Sequence, residues 1–448
     1  MTKLAPRAAM ALAAAVTFDL GLLLSACSSP KTTTPQQVSQ ADIDKAMKTP
    51  TTITFWTANK LQPEIDLFEK KYPAIKVNLV DAGSGNNYYT KLRSALKAGK
   101  GAPDVAQIEY HHMPSFVLGK NLVNLTPYGA GDVAPRFEKF AWDQVATVTG
   151  IYGIPQDTGP LGLLYRSDIF SAAGIACPTT WDEFAKDATI IHAADGGPYI
   201  ANISPSNASA TLGLFWQAGA RPFSYDGNKT VSVKLDSPEM VKVAEYWQAL
   251  VQAGTVSTDP DFTDQWYRGL ARGKYASWVS AAWGPLFLQG TAADTAGKWT
   301  AAELPQWKAG EHMSGAVGGS ANVVLATSEH PIPSAKFIEF INSDPDSTLI
   351  MGTQQFLFPA ATATLKNAAF TDQPVKFFAG QQINKLFAAI SPTVNANFPW
   401  LPFMDPVFES YNSTFGKALT EKTSLVAALK AWQDAVVTYA KGQGFTVN

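Results

Sequence analysis

Apolar and polar positions follow two rhythms along this chain, and the rhythm changes at glycines and prolines. Residues 51–57 (Thr-Thr-Ile-Thr-Phe-Trp-Thr) are β-branched and aromatic, which predicts a strand. Residues 61–72 have helical spacing, with Ile65, Leu67, Phe68 and Tyr72 on an apolar face. That pattern leaves Glu64, Asp66, Glu69, Lys70 and Lys71 outside, and Pro73 ends it. Residues 75–80 alternate as a strand, 88–96 read as a helix, and 105–108 as a short buried strand. Strand and helix in strict alternation predict an α/β fold with a sheet covered by helices.

The rhythm breaks over residues 150–168, where two prolines and four glycines separate short apolar runs. Glycine permits unusual backbone angles and proline fixes one, so the stretch predicts a shaped crossing between lobes, with Asp157 inside it. Beyond it, helices are expected over 181–191 (capped by Thr179 or Thr180), 207–218, 239–253 (Ser237 cap, then Pro238), 263–272, 333–342 and 425–440. Strands are expected over 275–279 and 322–326, the second after the glycine-rich 315–320.

A chain of 448 residues exceeds one ordinary core, so two lobes are expected. Apolar residues make up 46% and charged residues 16%, a globular balance. Net charge is −2, with no basic stripe, which excludes nucleic acid as the main partner. The N-terminus carries Lys3 and Arg7, then mostly apolar residues 8–24, then Leu24-Ser25-Ala26-Cys27. A positive start, an apolar run and a small-residue site predict a signal peptide over 1–26. Leu24 to Cys27 resembles the bacterial lipobox, which implies cleavage before Cys27 and a lipid on its thiol. Residues 27–50 open with a Ser-, Thr- and Pro-rich tract and read as a disordered tether. The other cysteine, Cys177, then has no partner and reads as a small apolar filler.

Several stretches in order resemble the extracellular solute-binding proteins of ABC importers, the carbohydrate-binding family typified by maltose-binding protein. They are Ile53-Thr54-Phe55-Trp56; the passage Phe68, Tyr72, Pro73, Ile75, Val77; Pro103-Asp104-Val105; and Gly150 to Pro155. Leu164-Tyr165-Arg166 follows, with Arg166 where that family commonly has Asn, then Gly318-Gly319 and the helix 333–340. The resemblance implies a two-lobed periplasmic-binding-protein-like fold of class II, with sugar in a cleft between lobes joined by hinge crossings. It also implies a lobe 1 of 51–156 and 315–362, a lobe 2 of 157–314 and 363–448, and a membrane permease as partner. The chain is expected as a monomer on the outer face of the cell membrane, held there by its lipid alone.

A sugar site needs donors and acceptors for hydroxyls and flat aromatic faces for the ring. Trp56 and Asn59 follow the first strand, at the sheet end where α/β ligands gather, although Trp56 suits the core equally and Asn59 could cap a helix. Asn86 follows the second strand, Glu109 the third, and Asp157 sits in the crossing. Trp216 and Trp283 are candidate stacking platforms, Trp216 lying inside a helical pattern that suits the core as well. Gly319 and Ser320 let backbone approach a ligand, and Phe358 and Trp400 lie in proline-broken stretches. His111 and His112 suggest a metal, but no third ligand lies at a useful spacing, so none is expected. No nucleophile elbow, zincin motif or phosphate loop appears, and no cofactor is called for. The reading is a lipid-anchored subunit binding a di- or oligosaccharide. A secreted carbohydrate-active hydrolase, or a binder of a glycerol phosphodiester or polyol, is the alternative.

Overall fold

Strand pairing gives five sheets among the described residues, two of which frame the candidate site, and the computed structural model describes residues 37–193 and 196–448. The expected signal peptide over 1–26, Cys27 and the first part of the expected tether lie outside the described residues. The strands that matter here are Thr51–Thr57 (β1), Ile75–Asp81 (β2), Val105–Glu109 (β3), Ile154–Asp157 (β4), Leu161–Arg166 (β5), Ser277–Ala281 (β6), Trp299–Ala302 (β7) and Ser320–Val324 (β8). The first sheet has the order β2-β1-β3-β8-β4. Its first three strands are parallel, while β8 runs antiparallel to both neighbours. The second sheet is antiparallel, with β5 between β6 and β7.

Each sheet organises its own core. Ile53, Phe55, Ile65, Phe68, Ile108, Val323 and Phe337 pack together around the first. Around the second are two cores. Leu163, Trp181, Phe215, Trp247 and Trp432 form one; Leu164, Trp266, Trp299, Phe370 and Phe387 form the other. The C-terminal helices belong to this second lobe, because Val407, Tyr411, Leu429 and Trp432 bury into its core. The result is a two-lobed α/β fold of the periplasmic-binding-protein-like class.

Local sequence explains the helix starts. Thr180 and Glu183 form a reciprocal capping box at Trp181–His192. Ser237 accepts from Met240 N ahead of Pro238–Gln252, with proline in the first turn. Two expectations are corrected. Residues Gln40–Lys48, read as tether, form a helix capped by Ser39, with Met47 buried and Ile43 packed against the first core. Glu64, expected outside, is fully buried, because the helix Gln62–Lys71 turns its first turn inward, and neither carboxylate oxygen finds a partner among the described residues.

Three segments pass side by side between the lobes. Val317 N donates to Gly159 O (2.8 Å) and Leu161 N to Gly315 O (2.9 Å), joining the first crossing to the second. Thr158 N donates to Phe358 O (2.9 Å) and Ala360 N to Gln156 O (3.0 Å), adding the third. The approach is close enough that a Cβ on Gly159 would sit 1.9 Å from Val317 O.

Candidate functional site

The register of β8 brings the site together. Ser320 stands opposite Glu109 on β3 and opposite Asp157 on β4, so two carboxylates and a hydroxyl share one sheet end. Ser320 Oγ donates to Asp157 Oδ1, and Gln107 Nε2 donates to Ser320 Oγ (2.9 Å). Gln107 Oε1 in turn accepts from Asn59 Nδ2 (3.1 Å) and from the Thr57 hydroxyl. Asn59 is therefore committed to this chain of bonds and caps no helix; the next helix starts after Leu61, which makes no side-chain cap. Tyr110 OH donates to Asp157 O (3.0 Å), and its ring lies over Gly319. Gly319 has φ +91°, and a Cβ there would stand 2.7 Å from Tyr110 Cε2, so both backbone angle and space require glycine.

Asp157 is half-buried at the first crossing. Burial raises its pKa to about 6, the bonds from Ser320 pull it down, and the Glu109 charge raises it further. Such a carboxylate is ionised at neutral pH but incompletely solvated, which suits it to accept hydroxyl protons from a ligand.

Glu109 is held by Tyr89, whose hydroxyl stands 3.3 Å from Oε2. His111 Nε2 and His112 Nε2 lie 3.7 and 4.0 Å from the same oxygen. The sequence gives no third ligand beside the two histidines, whereas the turn Tyr110–His112 folds them back onto Glu109 itself. Burial, then His111 and Arg93, push the His112 pKa down to about 2, so its contact with Glu109 is not an ion pair. Burial also lowers the pKa of His111, against the opposing pull of Glu109 and Asp405. Asp405, on Met404–Tyr411 of the second lobe, reaches across to His112 Nδ1 (3.3 Å) and Arg93 Nη1 (3.0 Å).

The aromatic candidates divide. Trp283 is half-buried, donates from Nε1 to Val317 O (2.9 Å), and packs with Phe262 and Phe287, both about two-fifths exposed (42% and 41%). Trp400 is half-buried, its Nε1 has no partner among the described residues, and it borders a cavity of about 560 Å³. Met113, Val117, Phe223, Arg221 and Lys234 line the same cavity, and Trp400 is the one candidate residue that does. Trp56 is 8% exposed, with Lys91 Nζ 4.5 Å over its ring. Two candidates are corrected. Trp216 is a core residue, stacked on Phe398 (4.2 Å between centroids) with its N–H donated to Asn395 O. Phe358 is 4% exposed and packed against Phe370 and Phe387; it contributes its carbonyl to the crossing, not its ring to the cleft. Asn86 is exposed on the first turn of Gly85–Ala98, apart from the bonded cluster. Gln107 and Tyr110 are not among the candidates read from sequence; an amide between the buried apolar residues Ala106 and Ile108 is the available signal for Gln107.

Two α/β lobes, three crossing segments and a polar cluster at the crossing define a two-lobed binding protein. The chain matches the family model for "Bacterial extracellular solute-binding protein" over residues 56–347, and it belongs to that family. The family is maltose-binding-protein-like and associated with ABC sugar importers, so the role is extracytoplasmic binding and transport rather than catalysis. The chain is 26% identical to the arabinooligosaccharide-binding protein of Bacillus subtilis (strain 168), over 65% of this chain and 69% of that protein. Among solved structures it resembles the ABC transporter associated binding protein from B. animalis subsp. lactis Bl-04, in complex with beta-1,6-galactobiose. That match has 31% identity and a TM-score of 0.75, and covers 89% of this chain and 99% of the other. The galacto-N-biose-/lacto-N-biose I-binding protein from Bifidobacterium longum, in complex with lacto-N-biose, matches at 26% identity and a TM-score of 0.77, covering 89% and 98%.

Proposed function

We propose that this chain is the carbohydrate-binding subunit of an ABC importer, anchored through a lipid on Cys27, and that it captures a di- or oligosaccharide at the Asp157 end of the cleft. The observation that carries the reading is the bonded cluster Asn59–Gln107–Ser320–Asp157, built from strand ends and a crossing rather than from mobile loops. Its carboxylate accepts from sugar hydroxyls, Glu109 offers a second acceptor, and the indoles of Trp283 and Trp400 supply apolar faces for the ring. The ligands named for the three relatives are short oligosaccharides, which supports that size class here. Because the crossing segments join both lobes, a sugar held at Asp157 and Trp283 favours their closed arrangement by differential affinity, and the closed form docks on the permease.

The test is calorimetry of the purified chain against arabino-oligosaccharides, β-1,6-galactobiose, lacto-N-biose and monosaccharides. Saturable binding of a di- or oligosaccharide without product is expected, weakened at least tenfold by Trp283→Ala. No binding to any of them, or turnover of the sugar, rejects the reading.

A further inference from the structure

We propose that Glu109, His111 and His112 form a site for a divalent transition-metal ion of the zinc class, oriented across the cleft by Asp405. The donor atoms of the three residues all lie within 4.8 Å of one another. Glu109 Oε2 is the hub, 3.7 Å from His111 Nε2 and 4.0 Å from His112 Nε2. Ligand bonds of about 2.1 Å in tetrahedral geometry put donor atoms about 3.4 Å apart, so the two Glu109–His distances of 3.7 and 4.0 Å need to close by about half an ångström, and side-chain rotation must bring the two imidazoles together within the 4.8 Å that bounds the set.

The surroundings of these donors are those of a ligand set rather than of a chance surface cluster. Asp405 Oδ1 stands 3.3 Å from the Nδ1 of His112, close enough for a small ring rotation to make the carboxylate–histidine bond that orients a metal-ligating imidazole, and this leaves Nε2 on the Glu109 side. Glu109 is oriented in the same way by the Tyr89 hydroxyl, and the Tyr89 ring packs 3.7 Å from the His112 ring. Arg93 is occupied by Asp405 at 3.0 Å. Two imidazoles and one carboxylate favour zinc, nickel or copper over magnesium or calcium, which take oxygen ligands. The remaining coordination positions are filled by water or by ligand oxygens. Because the ligands stand on the first lobe and Asp405 on the second, the ion is held best when the lobes meet.

The inference rests on the proposed function only in placing Glu109 in the sugar cleft, and the two fail separately. The experiment is titration of ZnCl2 into the purified, tag-free chain stripped with EDTA, followed by calorimetry and a thermal shift, with no sugar present. One equivalent of zinc is expected, with a rise in Tm. Glu109→Gln and His111→Gln should each weaken uptake at least tenfold, and Asp405→Asn by about tenfold. His312→Gln, which removes a surface histidine paired with Glu303, should leave it unchanged. MgCl2 should give no saturable uptake. Absence of saturable zinc binding overturns the proposal, as does uptake that survives both Glu109→Gln and His111→Gln. Sugar binding without zinc binding rejects this site alone.

Discussion

Replacing Asp157 by Asn should make the protein more stable and a poorer binder at the same time. Burial lifts the carboxyl from its ordinary 3.8 to about 6, so the charged form is disfavoured in the folded chain. At 1.36 kcal/mol per pKa unit this is about 3 kcal/mol, reduced to about 2 kcal/mol for a half-buried group that water partly screens. The direction follows from linkage. A carboxyl whose folded pKa is raised binds more protons folded than unfolded, so stability falls as pH rises from about 4, and the loss is complete above about 6. Asn carries no charge to desolvate and still offers Oδ1 to the Ser320 hydroxyl. At about 2 cal/mol/K per residue over about 400 residues, 2 kcal/mol corresponds to a rise in Tm of about 2–3 °C. The gain should be present at pH 7.5 and absent at pH 3.5. Losing a charge-assisted bond to a ligand hydroxyl is worth about 1.5–3 kcal/mol, which is about ten- to hundredfold in affinity. Scanning calorimetry at the two pH values, with sugar titrations at pH 7.5, reads both effects. An Asn variant less stable than wild type at pH 7.5, or one binding sugar as tightly, refutes the reasoning.

Two further perturbations test the frame that holds the site. Glu64 is buried without a side-chain partner among the described residues, and burial raises its pKa from 4.5 to about 7, so stability falls across that window as pH rises. Glu64→Gln should therefore gain about 3 kcal/mol at pH 8 and nothing below pH 4.5, read from urea midpoints; equal midpoints at pH 8 would remove this account. Gly159→Ala places a methyl 1.9 Å from a backbone carbonyl that cannot rotate away, so it should lower stability by about 2–3 kcal/mol and weaken sugar binding. An unchanged Tm would mean that the crossings are not packed as described.

How much of this was legible in the sequence depends on the range of the interaction that decides each feature. The alternation of strand and helix before residue 110 is local, and so is the run of glycine and proline around Asp157; both could be read directly. The helix Gln40–Lys48 could not, because its apolar face is only Ile43 and Met47, and what holds it is a surface of the first lobe. Glu64 looked solvated because the helical pattern does not say how far round the helix the core extends. The tryptophans show the limit most plainly. Trp216 and Trp400 are the same residue type within apolar surroundings, and their rings meet edge to face at 6.1 Å, yet one is core and the other borders a cavity.

The site itself is a product of register. Glu109, Asp157 and Ser320 lie far apart in sequence, and each is the end residue of a short strand. Only the antiparallel insertion of β8 between β3 and β4 makes them neighbours, and it does so by setting Ser320 opposite both carboxylates. A one-residue slip of β8 would turn Ser320 to the other face and leave Asp157 without its donor. The glycines ahead of that strand therefore have a second function besides bending the chain. Gly318 and Gly319 absorb positive φ values so that β8 enters in the register that builds the site, and Tyr110 closes over Gly319 to hold Asp157 from its carbonyl side. In the proposed function, hinge and binding site would then be one structure, since the segments that pass between the lobes also position the carboxylate that the ligand is proposed to meet.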